Sequence, residues 1–202
     1  MLRPSLLLRA AVPTTKMLIG GQLRESKATE FIPVYNPATQ ELLTKVPVCT
    51  PAEMEEATLA AAEAFKTWGE VSASNRMRLL MRYCRLVQAN QLEVAKSITR
   101  EQGKVLADAE ADVFRGMEVV EHCLSFPSLL QGESLENVSS HMDIVSYRQP
   151  LGVCAGVCPF NFPAMIPLWM FPVALACGNT YVLKPSERDP TAALMLAELM
   201  KE

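Results

Sequence analysis

From Gln149 to Leu183 the chain runs for 35 residues without a charged side chain, broken by five prolines and closed by Lys184-Pro185-Ser186-Glu187. A membrane span would need about 20 consecutive, predominantly apolar residues. The cleanest apolar stretch, Ala164 to Cys177, is shorter and carries Pro167 and Pro172, with Asn161, Gly178 and Asn179 at its flanks. A buried β-α-β unit fits better. Leu151 to Cys158 is apolar on both alternating faces, as expected of a strand covered on both sides in a parallel sheet. Pro159-Phe160-Asn161-Phe162-Pro163 turns the chain, and a helix is expected from near Pro163 to near Gly178, kinked at Pro167 and Pro172. Thr180 to Leu183 reads as the second, parallel strand, reached by a right-handed crossover. Lys184 to Glu187 then lie past its carboxyl end, the edge where open α/β sheets bind ligands.

With 202 residues, half of them apolar, the chain can bury one sizeable core, and two domains are also possible. The net charge is −3, but residues 1 to 24 hold Arg3, Arg9, Lys16 and Arg24 and no acid, so the remainder carries 15 bases against 22 acids, or −7. An acidic body without a basic stripe argues against nucleic acid as the main partner. Residues 1–15, with Leu6-Leu7-Leu8-Arg9 and no acid, read as an organellar targeting segment or, more plainly, as a short tail. The six cysteines stand singly and form no Cys-x-x-Cys. Cys154 and Cys158 share a strand face, yet about 13 Å between their α-carbons is too far for a disulfide. Reduced, buried thiols are expected, and no metal site is assigned.

Met17 to Arg24 and Glu30 to Tyr35 read as two strands of one small antiparallel ribbon. Thr50-Pro51-Ala52-Glu53 is a capping box that starts a helix, with Met54, Ala57, Ala61, Phe65 and Trp68 as its apolar stripe. Ser74 is expected to cap the next helix, which buries Leu79, Leu80, Tyr83, Leu86 and Val87. Asn90-Gln91 is a weak break, and a further helix ends at Gly103. Another is expected from Val105 to Phe126, with Leu106, Ala109, Val113, Met117, Val120 and Leu124 inward, stopped by Pro127. A short strand at 141–148 precedes the uncharged run, and an amphipathic helix occupies Thr191 to Glu202.

Pro159-Phe160-Asn161-Phe162-Pro163, Gly178-Asn179-Thr180 and Lys184-Pro185-Ser186-Glu187, in that order and spacing, resemble the aldehyde dehydrogenase superfamily. So do Ile19-Gly20-Gly21, Asn36-Pro37-Ala38-Thr39, Glu101-Gln102-Gly103-Lys104 and Pro150-Leu151-Gly152-Val153. Phe114-Arg115-Gly116 with Val119 to His122, Ile166 to Pro172, and Ser186-Glu187-Arg188 resemble the CoA-acylating methylmalonate-semialdehyde dehydrogenase subgroup. The resemblance implies an α/β fold: helices, the start of a Rossmann-like parallel sheet and a β-ribbon arm. It implies a partial NAD-binding domain over 16–202, an oligomerisation strand at 141–148, a homo-oligomer, and a place in the mitochondrial matrix. The implied reaction oxidises a semialdehyde through a cysteine thiohemiacetal, with NAD taking hydride and CoA taking the acyl group, in valine and pyrimidine breakdown.

By the same resemblance, Asn161 donates its side-chain N–H₂ to the oxyanion, and such a donor is worth about 3 kcal/mol. Read without the motif, Asn161 is a turn residue. Lys184 and Glu187 match the pair that grips the adenosine ribose, a role a carboxylate suits because it accepts from vicinal hydroxyls; the plainer alternative is an exposed ion pair. Phe160 matches a residue of the nicotinamide pocket and Arg188 one beside the adenosine, and both could serve packing or surface. Arg115 matches the arginine that binds the substrate carboxylate, although an ion pair with Glu118 on the same helix face is the alternative.

No Gly-x-Gly-x-x-Gly occurs. The chain reaches Glu202 before the glycine-containing loop, the nucleophilic cysteine and the catalytic domain that the resemblance implies. It is therefore expected to be the N-terminal part of such an enzyme and inactive alone. Cys158 is expected to pack at a strand end rather than act as nucleophile. A non-catalytic protein that docks on full-length subunits is the competing class. A non-acylating aldehyde dehydrogenase is a third reading, which Arg115 and Arg188 disfavour.

Overall fold

The computed structural model describes residues 12–202. Most of the proposed targeting segment, residues 1–11, lies outside the described residues. Strands β1 (Met17–Ile19) and β2 (Gln22–Arg24) form a hairpin closed by Gly20 and Gly21, both at positive φ, 57° and 74°. A two-residue loop of that handedness matches strand twist and favours glycine. Strands β3 (Phe31–Tyr35) and β4 (Leu42–Pro47) form a second antiparallel pair. The Asn36 side chain accepts from the N–H groups of Ala38 and Thr39 at the turn between them, at 2.9 and 3.3 Å. The expected single ribbon is thus two ribbons. Gly20-Gly21 folds one apparent strand back on itself, leaving residues 31–35 to pair with a strand that sequence periodicity did not reveal.

Helix α1 (Pro51–Trp68) begins at the predicted capping box, where the Thr50 side chain accepts from the Glu53 N–H and Glu53 returns the contact. Glu53 also accepts from the Lys27 N–H at 2.6 Å, tying the linker after β2 to the helix start. The backbone N–H of Thr50 and then that of Lys27 hold the Glu53 carboxyl down at about 2. Met54, placed in the apolar stripe, is exposed, while Ala57, Ala61, Phe65 and Trp68 are half-buried.

Helix α2 (Ala73–Gln102) is capped by Ser72 rather than Ser74, and it runs unbroken through Asn90-Gln91. Those two polar side chains find acceptors without leaving the helix: Asn90 donates to the Leu86 carbonyl, and Gln91 to that of Glu110. Leu80, Tyr83 and Val87 are buried, Leu86 is half-buried, and Leu79 faces solvent. Gly103, left-handed at φ 82°, ends the helix as expected.

Helix α3 (Leu106–Cys123) buries Ala109, Val113, Met117 and Val120, but Leu106 is exposed. Pro127 does not stop it; it sits in the first turn of a separate short helix, α4 (Phe126–Leu129). Strands β5 (Ser134–Ser139) and β6 (Met142–Val145) make an antiparallel arm on which every residue is exposed. The strand expected at 141–148 is therefore shorter, and its partner β5 was not foreseen.

Strand β7 (Val153–Val157), helix α5 (Met165–Ala176) and strand β8 (Thr180–Lys184) form the expected parallel unit, in register from Val153 opposite Thr180 to Val157 opposite Lys184. Strand β7 is not covered on both faces among the described residues: Val153, Ala155 and Val157 point outward, Val157 at 71% exposure. Gly178, at φ 88°, follows α5. The buried Asn179 side chain accepts from the N–H groups of Leu151 and Gly152 at 2.6 and 3.0 Å. Thr180 donates to the Ala61 carbonyl at 2.8 Å. This trio is structural, since it fixes where β7 enters the sheet. Helix α6 (Thr191–Lys201) follows.

The core lies where α2, α3, α5 and α6 meet, around Tyr83, Val87, Ile98, Val113, Val120, Leu168, Phe171 and Leu196. The Tyr83 hydroxyl donates to the Leu196 carbonyl at 3.1 Å, so the buried ring leaves no orphan donor. Among the described residues no helix is long and apolar enough to cross a membrane.

Candidate functional site

The carboxyl ends of β7 and β8 lie side by side, because parallel pairing sets Val157 against Lys184. The turn after β7 carries Phe160 and Asn161, both exposed, and the loop after β8 carries Glu187 and Arg188. Two pairs form at this edge, one local to the end of β8 and one that reaches across to the turn after β7. Lys184 Nζ meets Glu187 Oε2 at 2.7 Å, and the Arg188 guanidinium stands over the Phe160 ring, 4.8 Å from its centroid. The bond from Lys184 is the first cause of a Glu187 carboxyl held below its ordinary range. Both partners are well exposed, so the pair adds little stability. It does leave an ionised carboxylate on the sheet edge, able to accept from hydroxyl groups.

Behind this edge lies a polar layer of which sequence reading singled out only the motif Glu101 to Lys104, without a role. Asp112, on α3 and fully buried, accepts from the Met165 N–H at 2.7 Å, at the start of α5. Its other oxygen meets Lys104 Nζ at 2.7 Å, with the Lys104 side chain only 13% exposed. Lys104 also donates to the Asn161 carbonyl at 2.8 Å and stands over the Phe162 ring at 4.5 Å. Gln102 donates to the Phe160 carbonyl. Glu101 accepts from the Thr191 N–H and hydroxyl at 3.0 and 2.6 Å, where α6 begins. Spacing could not find the contacts that tie this layer to the two loops, since they join residues 53 to 90 positions apart; only Lys104 and Asp112 are near in sequence, eight positions apart. The only hint is Glu101-Gln102-Gly103-Lys104, three polar residues around a helix-ending glycine.

Residues 23–202 match the aldehyde dehydrogenase family. The chain belongs to that family. The Homo sapiens methylmalonate-semialdehyde/malonate-semialdehyde dehydrogenase [acylating], mitochondrial, is 53% identical over 193 residues, covering 96% of this chain and 36% of that one. A Dictyostelium discoideum protein assigned the same activity and compartment is 59% identical over 189 residues, covering 94% of this chain and 36% of that one. Among solved structures, methylmalonate-semialdehyde dehydrogenase from Oceanimonas doudoroffii superposes with a TM-score of 0.91 at 42% identity, over 94% of this chain and 39% of that one. A Sinorhizobium meliloti protein described as a methylmalonate-semialdehyde dehydrogenase, complexed with NAD, gives 0.88 at 40% identity, over 91% and 37%. The chain thus spans little more than a third of these relatives, and its fold is the matching part of an aldehyde dehydrogenase.

In this aldehyde dehydrogenase chain, Arg115 lies apart from the sheet-edge pairs. It is exposed on α3, its carbonyl accepts from the Trp169 indole N–H of α5 at 3.3 Å, and among the described residues it forms no ion pair with Glu118. The guanidinium is therefore available to an anion. Cys158 is buried beneath the turn, and burial pushes its thiol up to about 11 against the opposing pull of Lys184. A protonated, enclosed thiol packs, as expected, and is a poor nucleophile. All six cysteines are free.

Among the described residues Asp189 is the one buried carboxylate with no hydrogen-bond partner on either oxygen, at 1% exposure. Burial pushes it up to about 7; the nearby Ser186 hydroxyl opposes, while the charges of Glu101 and Asp112 add to the rise and Lys104 offsets part of it. The folded state therefore holds this proton more tightly than the unfolded chain, whose ordinary value is 3.8. Its stabilising contribution is complete below that value and is lost as pH rises through about 7. Thermal melts should show stability falling between about pH 4 and 7, with Asp189→Asn flattening the decline. An unchanged slope in the variant would assign the pH dependence elsewhere.

Proposed function

We propose that this chain carries the adenosine-gripping half of an NAD site, together with the oxyanion donor, of a mitochondrial CoA-acylating methylmalonate/malonate-semialdehyde dehydrogenase. The observation that carries the reading is the pairing of Lys184 with Glu187 beside the Phe160–Arg188 stack, at the carboxyl edge of two parallel strands. The residues present suit the cofactor: an ionised, exposed carboxylate for ribose hydroxyls, a lysine beside it, and an aromatic and guanidinium surface next to them. NAD, when bound, supplies the hydride acceptor. Glu187 accepts from the ribose hydroxyls, and Lys184 orients Glu187 and donates alongside it. Arg188 flanks the adenosine, and Phe160 lines the nicotinamide side.

Asn161 donates its side-chain amide to the oxygen that gains charge when the aldehyde carbon is attacked. As a neutral donor it needs no proton exchange to do so. Arg115, exposed and without a partner carboxylate among the described residues, receives the substrate carboxylate, a role its fork of donors suits better than a lysine would. Residues 16–202 form the partial NAD-binding domain and 1–15 the targeting segment for the mitochondrial matrix. CoA is the acyl acceptor of the whole enzyme, and the chain acts within a homo-oligomer.

Glu187→Ala is expected to weaken NAD binding by about 10- to 100-fold, the worth of hydrogen bonds to a charged group. Calorimetric or saturation-transfer titration of the 202-residue chain measures it. Equal affinity in the two proteins would remove Glu187 from the site.

A second reading has its own support: every residue of the β5/β6 arm is exposed, including Leu135, Met142, Ile144 and Val145. An apolar two-stranded ribbon with open edges can add to another sheet, as a non-catalytic chain docking on full-length subunits would. Mixed with full-length enzyme at micromolar concentration, this chain should then co-elute in gel filtration; two separate peaks would reject the docking.

A further inference from the structure

We propose that Lys104 is a positioning residue for Asn161, and that the corner Glu101–Lys104 brackets the turn after β7 to the loop after β8. The inference rests on the reading of Asn161 as the oxyanion donor. Its support is geometric. The turn 159–163 exposes Asn161 and joins a strand to a helix. Pro159 and Pro163 restrict their own φ angles, and Pro163 also restricts Phe162, which leaves Phe160 and Asn161 to be held by other contacts. What holds those residues comes from the corner. Gln102 grips the Phe160 carbonyl and Lys104 the Asn161 carbonyl, while Asp112, pinned to Lys104, grips the Met165 N–H just beyond the turn. The carbonyl of residue 161 is thus bound from the protein side while its amide side chain faces out. A donor fixed before the reaction needs no reorganisation during it.

The same four-residue corner reaches the other loop. Glu101 binds the N–H and hydroxyl of Thr191, two residues past the buried Asp189 and four past Glu187. Gly103 makes the corner possible, because at φ 82° it turns Lys104 back across the sheet edge. A Cβ at Gly103 would also lie 2.8 Å from Pro37 Cγ, so no other residue fits without shifting the corner. The ammonium of Lys104 is fully engaged, with Asp112, the Asn161 carbonyl and the Phe162 ring around it. A lysine serving only as a surface charge would be solvated instead.

The test is residue-resolved hydrogen exchange by NMR on the 202-residue chain, with the Asn161 side-chain N–H₂ signal assigned through Asn161→Asp. Lys104→Met would strand Asp112, so the principal variant is Lys104→Met with Asp112→Asn, which keeps an acceptor for the Met165 N–H. Exchange at Met165 and Ile166, whose N–H groups anchor the end of the turn to Asp112 and to the Phe162 carbonyl, should rise about 10- to 100-fold, the loss of a charge-assisted bond, and the Asn161 N–H₂ signal should shift. Exchange at the core amides of Val94 and Ile98 should hold. Lys104→Arg should restore most of the protection. Gly103→Ala, a variant that leaves Lys104 and Asp112 in place, should loosen the same segment. Exchange that is unchanged at Met165 and Ile166, or that rises equally in the core, would overturn the proposal. NAD titration of the unmodified chain reports separately: absence of binding would sink the cofactor reading, while the exchange data would still decide whether Lys104 holds the turn.

Discussion

Asp112→Ala is expected to destabilise the chain by about 3–5 kcal/mol, the cost of removing one partner from a buried ion pair. Asp112 is fully buried and makes two contacts of different kinds. Its loss leaves the Lys104 ammonium enclosed without a carboxylate and the Met165 N–H without an acceptor. The two penalties fall on opposite sides of one side chain, so a single local shift cannot repair both. Asp112→Asn separates them, since it retains an acceptor for Met165 and should cost appreciably less. Urea denaturation followed by circular dichroism measures both, with unchanged m-values required for the comparison. A loss below about 1 kcal/mol for Asp112→Ala would mean that water or Lys104 itself replaces the carboxylate, and the tight layer described behind the sheet edge would be wrong.

Leu168→Ala is expected to cost about 2–5 kcal/mol, because the side chain is fully buried at the crossing of α3 and α5. The same crossing explains Gly116. A Cβ there would lie 2.5 Å from Leu168 Cδ1 and 2.9 Å from its Cβ, distances that close-packed atoms do not adopt. Gly116→Ala should therefore cost about 1–3 kcal/mol by overpacking. In the double variant the alanine methyl enters space that the leucine branch has left, so the two losses should fall short of additivity by about 0.5–3 kcal/mol. The relief stays partial, because the Cβ of residue 168 is still close. Strict additivity, measured by denaturation of all four proteins, would show that the helices separate rather than interlock.

Local signals proved legible where the physics is local. The capping box at Thr50 and Glu53, the left-handed stop at Gly103 and the parallel β7-α5-β8 unit all follow from residues within a few positions of one another. Local reading erred where another part of the chain decides. Asn90-Gln91 looked like a break because two polar residues interrupt the apolar pattern, yet acceptors on α2 and α3 take up their donors. Leu79 and Leu106 looked like core and face solvent, since periodicity identifies a stripe but not where the neighbouring helix ends. The arm strand β6 was visible from alternation, whereas β5 carries Glu136, Asn137 and two serines and has no such pattern.

At the candidate site the division has the same origin. From sequence alone, Asn161, Lys184, Glu187, Phe160 and Arg188 could be placed on two turns at one sheet edge, because the strand and turn chemistry that puts them there is written in adjacent residues. Family membership, too, was legible from those motifs. Only the tertiary structure decided that Arg188 stacks on Phe160, that Arg115 stands apart with no ion pair to Glu118, and that Asp189 is enclosed with no partner. Nor could spacing reveal that Lys104 and Asp112 lie beneath Asn161. Such contacts depend on how whole helices pack, and a change of one turn in the crossing of α3 and α5 would remove them without altering any motif. The uncharged run therefore determined what kind of unit forms, and the helices packed behind it determined how firmly its working residues are held.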